Sequence, residues 1–122
     1  MKYDLIIVGA GPAGIFTALE LVKKGTNKKI LMIEKGRSIE KRNCPKNKTK
    51  DCINCKPYCN ITTGFSGAGA FSDGKLSLSS DVGGDLPNLI GTEFAKEMIK
   101  YTDDIYLEFG ADTFYLSISS KF

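Results

Sequence analysis

Apolar residues run along this chain in distinct patterns, and each pattern predicts a different element. Tyr3 to Val8 is short, almost wholly apolar and rich in β-branched residues, and it stops at Gly9; this is the pattern of a parallel strand covered on both faces. From Ala13 to Lys24 the apolar residues Ile15, Ala18, Leu19 and Val22 recur at helical spacing, with Gly25 where a helix would end. A second strand-like run, Lys28 to Ile33, is stopped by Glu34-Lys35-Gly36. Together they predict a β-α-β unit over residues 1–36.

The pattern then changes. Residues 37–61 are basic, contain Pro45 and Pro57, and hold all four cysteines, as expected of a loop or small insertion. Residues 62–88 are rich in Gly and Ser, with Phe65, Phe71, Leu76 and Leu78 as apolar points; they predict a glycine-rich loop with a short hairpin. Over residues 89–112, Phe94, Met98, Ile99, Ile105, Tyr106 and Phe109 suit one amphipathic helix ended by Gly110. Residues 113–122 form an atypical tail. The whole is expected to be a single, incomplete α/β domain.

Composition narrows the chemistry. The 122 residues are 42% hydrophobic and 25% charged, with 13 glycines, which fits a small globular domain with an unusual demand for bare backbone. A net charge of +3, with lysines not interleaved among aromatics, argues against nucleic acid as a partner. The chain has no histidine, which removes Ser-His and Cys-His nucleophiles, histidine bases and histidine metal ligands. Asp4, Glu20 and the breaks at Gly9, Gly11, Pro12 and Gly14 argue against both a secretory signal and a membrane span. A cytoplasmic location is the default expectation.

The segment Gly9-Ala10-Gly11-Pro12-Ala13-Gly14 reads G-x-G-x-x-G, a weak signal alone but a strong one between a strand and a helix, with an acid at the end of the next strand. Gly9 permits a sharp turn, Gly11 removes a side chain where a pyrophosphate must approach, and Gly14 lets helix and strand come close. A phosphate then meets the N-terminus of the helix. Glu34 is placed to accept from the ribose hydroxyls of an adenosine, which disfavours a 2′-phosphate and so favours FAD or NAD over NADP. Spacing alone leaves FAD and NAD open.

Cys44, Cys52, Cys55 and Cys59 could give four thiolates to zinc or to an iron–sulfur cluster, although the spacing matches no standard signature well. Lys46, Lys48, Lys50 and Lys56 would offset thiolate charge. Reduced loop thiols, or a redox pair of Cys52 and Cys55, explain the same residues.

The run from Asp4 to Gly14, with Glu34-Lys35-Gly36, resembles the N-terminus of the glutathione-reductase-like flavoproteins. More narrowly, Cys44-Pro45, the cysteine cluster and Gly67-Ala-Gly-Ala-Phe-Ser-Asp-Gly-Lys-Leu76 resemble a family of bacterial uncharacterised FAD-dependent dehydrogenases, over residues 3–112. The resemblance implies the N-terminal part of a Rossmann-like FAD/NAD(P)-binding domain. Gly9, Gly11, Pro12, Ala13 and Gly14 would hold the pyrophosphate, Glu34 the ribose, and Lys35, Gly36 and Arg37 would border the adenine. The loop with Gly67, Ala68, Gly69, Ser72, Asp73 and Lys75 would run past the pyrophosphate toward the flavin or substrate. No catalytic residue is assigned.

The tail departs from the family's continuation. The chain is therefore expected to be a truncated product, the product of a frameshifted gene or one piece of a split enzyme, with weak solubility and weak or absent FAD binding alone. Its expected partners are FAD, a small-molecule substrate or electron donor, and the remainder of such an enzyme. The rival readings are an NAD-binding dehydrogenase domain and a non-catalytic nucleotide- or metal-binding fragment.

Overall fold

The computed structural model describes residues 2–112; the tail that the sequence sets apart lies outside the described residues. The protein is mixed α/β and divides into two compact units, Met1–Asp73 and Gly74–Phe122.

In the first unit, strand β1 (Leu5–Val8), helix α1 (Pro12–Lys23) and strand β2 (Ile30–Ile33) follow the predicted order. The strands are parallel, with Leu5 opposite Ile30 and Val8 opposite Ile33. Reciprocal bonds fix the start of this register: the Asp4 N–H donates to the Lys29 carbonyl at 2.9 Å, and the Lys29 N–H to the Asp4 carboxylate at 2.8 Å. At the other end the Gly9 N–H donates to the Ile33 carbonyl at 2.7 Å, carrying the ladder one residue beyond β1.

Successive strand residues face opposite sides, and the two sides of β1 differ. Ile7 is buried, and α1 packs against β1 at this residue. Ile6 and Val8, on the other side, are 55% and 83% exposed, and Ile33 beside Val8 is 46% exposed. The run of apolar residues predicts two covered faces; among the described residues one is covered.

Helix α1 starts at Pro12, one residue before the periodicity begins, because proline at the first helical position needs no N–H acceptor. It ends as a Schellman turn: Gly25 has φ +68°, its N–H donates to the Val22 carbonyl at 2.9 Å, and the Thr26 N–H reaches the Leu21 carbonyl at 3.1 Å. Residues 34–73 contain two 3₁₀ turns, Ile39–Lys41 and Gly67–Phe71, and the single-turn helix α2 (Lys46–Thr49). The hairpin expected in the glycine-rich segment does not form, since among the described residues the only strands are β1 and β2. Its backbone makes one isolated bridge, Arg37 with Gly64, and also bonds to the glycine corner and to one arginine.

In the second unit, α3 (Leu86–Ile90) packs on α4 (Thr92–Glu108) across Gly91. Ala95 and Ile105 of α4 are buried, whereas Phe94, Met98 and Tyr106 of its predicted apolar stripe remain exposed. Glu93–Lys96 and Lys100–Asp104 pair on its surface at 2.9 and 2.7 Å, each pair contributing about 0.3–0.5 kcal/mol. The helix closes at Gly110, whose N–H donates to the Leu107 carbonyl at 3.0 Å, as the sequence predicts. No helix of the described residues is long and apolar enough to cross a membrane.

Candidate functional site

The end of β1, the start of α1 and the end of β2 meet at one corner of the first unit. The chain leaves β1 at Gly9, buries Ala10, and enters α1 through Gly11, whose extended backbone (φ −77°, ψ −178°) caps the helix without a side-chain hydrogen bond. The first-turn N–H groups of a helix lack acceptors within it, and Pro12 has no N–H to offer. Ala13 and Gly14 therefore present amide donors, with no acidic residue in that turn to answer them.

Gly14 is glycine for a steric reason. A Cβ built there would lie 2.0 Å from the Gly9 carbonyl oxygen and 3.3 Å from Ile7 Cγ2, so any side chain would push α1 off the strand. At Gly11 a Cβ would meet nothing within 4 Å. The corner's backbone is thus open to an approaching group there.

Glu34 closes the corner from β2. One carboxylate oxygen accepts the Ala10 N–H and the other accepts the Gly36 N–H, both at 2.8 Å. The Ala10 bond, then the Gly36 bond, then the nearby Lys35 and Arg42 charges hold this carboxyl below the ordinary glutamate range, against an opposing effect of burial. A carboxylate has about four lone-pair sites, so about two stay available for hydroxyl donors. The acid and the glycine corner, 24 residues apart in sequence, are therefore directly bonded.

The glycine-rich loop is drawn to the same corner. The Ser66 N–H donates to the Ala10 carbonyl at 2.7 Å, and a Cβ on Gly67 would lie 3.8 Å from Pro12 Cδ. Gly36 and Gly64 pass so closely that a Cβ on Gly36 would be 2.4 Å from the Gly64 backbone. Gly67 thus stands beside Gly11 and Pro12, while Ala68, Gly69 and Ser72 lie on the exposed 3₁₀ turn and just after it. Lys35 stacks over the Tyr58 ring at 4.8 Å rather than standing free at the corner. The Arg37 side chain is exposed, and its carbonyl accepts the Phe65 N–H at 3.2 Å. Lys75 falls in the second unit.

Arg42 holds this loop, and sequence reasoning passes over it. It is 5% exposed, and its guanidinium donates to four backbone carbonyls: Asn60 at 2.8 Å, Gly67 at 2.7 Å, Ile61 and Phe65. Its cationic centre also lies 4.7 Å from the Phe71 ring centroid. A flat fork of five N–H donors suits this task, whereas a lysine has three donors at one point. In the sequence Arg42 is one of 17 cations, and no periodicity marks it.

The four cysteines are free thiols, with Cys44 and Cys55 half-buried and Cys52 and Cys59 exposed. All four border one recess of about 300 Å³, together with Lys46 and Lys56. Among the described residues no three Cys, Asp or Glu side chains converge as ligands of a single ion. The Cys59 thiol is pushed down by the Thr62 and Ile61 N–H groups and the Thr62 hydroxyl, with a smaller effect of the Arg42 charge.

No family model and no solved structure matches the chain. An "Uncharacterized protein" of Clostridium beijerinckii is 42% identical to it over 77 residues, which are 63% of this chain and 14% of that protein. The chain therefore spans a small part of the length of the curated relative it matches.

Proposed function

We propose that the corner is a dinucleotide site, and that the chain is the FAD-binding N-terminal portion of a FAD-dependent oxidoreductase of Rossmann-like architecture. The observation that carries this reading is the 2.8 Å bond from the Ala10 N–H to Glu34. It sets a carboxylate that would accept from a ribose beside the amides that would take a pyrophosphate, the arrangement a dinucleotide needs. Gly11 leaves the backbone bare for the phosphates, the amides of Ala13 and Gly14 would donate to them, and the start of α1 adds a favourable dipole. Glu34 would accept from the ribose hydroxyls through its remaining lone pairs.

Gly67 and the turn that follows would border the diphosphate on the loop side. Bound FAD would supply hydride or electron transfer, and the protein's part is to hold and orient it. None of the described residues is assigned as an acid or base.

The test is amide NMR of the whole 122-residue chain, which detects weak binding, titrated separately with ADP, FAD and NAD. Shifts centred on Gly11, Ala13, Gly14 and Gly36 with ADP, and larger ones with FAD than with NAD, are expected. Equal responses to FAD and NAD would favour a nicotinamide dehydrogenase domain. Unmoved corner amides with all three would remove the dinucleotide reading.

A further inference from the structure

We infer that the recess bordered by Cys44, Cys52, Cys55 and Cys59 is the seat of an iron–sulfur cluster bound through four thiolates. This goes beyond the dinucleotide reading and stands without it, because it rests on a different part of the first unit.

The cysteine-bearing stretch needs a staple. From Asn43 to Asn60 no residue is buried, and regular structure is limited to the single turn of α2. Ile53, apolar and in the middle of the stretch, is 55% exposed. A stretch this long without regular structure or a core of its own is uncommon unless it is functional, and small scaffolds that lack a core are held by cross-links or metals. All four cysteines of the chain fall in this stretch and face one recess, with no disulfide among them.

The shape of the thiol set separates a cluster from a single ion. Zinc–sulfur bonds of about 2.3 Å in a tetrahedron require the sulfurs to lie within about 4 Å of one another. These thiols do not converge in that way; they border an open volume of about 300 Å³. In a cube-shaped cluster of four irons and four sulfides each thiolate binds a different iron, so the cysteine sulfurs stay apart.

Local charge suits an anionic cluster. Lys46 and Lys56 line the recess and Lys48 and Lys50 lie in the same stretch, so the negative charge of a four-thiolate cluster is offset locally. Cys52 bonds Asn54 Oδ1 at 3.8 Å through its thiol. That contact would give way when the proton leaves on ligation.

The experiment is anaerobic reconstitution of the full chain with ferric iron, sulfide and excess thiol, which reduces part of the iron as the cluster forms, followed by desalting. The expected product is brown, with iron and acid-labile sulfide in equal amounts and all four thiols protected from iodoacetamide until acid destroys the cluster. Cys52→Ser, at an exposed position, should lose the colour and the iron. A colourless protein whose four thiols alkylate freely after reconstitution would overturn the inference. So would a protein that retains zinc on its thiols and takes up neither iron nor sulfide. The alkylation readout uses the unaltered chain, so it stands even if a serine variant fails to fold.

Discussion

Each oxygen of Glu34 accepts one backbone N–H, so this side chain is both a structural clamp and a pre-oriented acceptor. Its folded-state pKa is depressed, so its stabilising contribution is complete above the ordinary glutamate range. It is lost as pH falls through the lower folded value. Glu34→Gln leaves one N–H facing an amide NH₂, an expected loss of about 1–2 kcal/mol at neutral pH. Urea unfolding at a series of pH values checks this: the wild type should lose its advantage over the variant on acidification. Nucleotide binding should weaken in parallel.

Glu34 was legible because the fingerprint assigns a role to an acid at the end of the second strand. Arg42 was not, because a buried arginine and a solvated one look the same in a string of letters. What distinguishes it is a set of carbonyls 18 to 25 residues away.

At the scale of elements, the contact between α1 and β1 is set by Gly14. Gly14→Ala would place its Cβ against the Gly9 carbonyl, where backbone must shift; overpacking of this kind costs about 1–3 kcal/mol. Thermal unfolding should register that loss, and the ADP-induced amide shifts should vanish, because moving α1 withdraws the amides of Ala13 and Gly14. The local elements were readable from periodicity: β1, α1, β2 and α4 lie within a few residues of their predicted bounds. The glycine-rich loop was read only in part. Its approach to the corner was anticipated by resemblance, but the predicted hairpin gave way to the 3₁₀ turn at Gly67–Phe71. The reason is that its carbonyls bond Arg42 and Ser66 bonds Ala10, partners that no window of neighbouring residues contains.

For the molecule as a whole, the uncovered side of the two-stranded sheet matters most. Ile6, Val8 and Ile33 present apolar surface there, and two strands alone leave one edge of each open among the described residues. Self-association that grows with concentration and with added salt is expected, since a net charge of +3 supplies little repulsion and salt screens it. Sedimentation velocity should detect it, and Val8→Thr should reduce it while changing the unfolding midpoint little.

That expectation reverses the usual rule for β-branched positions in a strand. A valine that is 83% exposed has almost no buried area to forfeit, so polar replacements should be tolerated at position 8 and rejected at Ile7. The boundary between replaceable and irreplaceable residues therefore runs down the middle of a single four-residue strand, one side chain at a time.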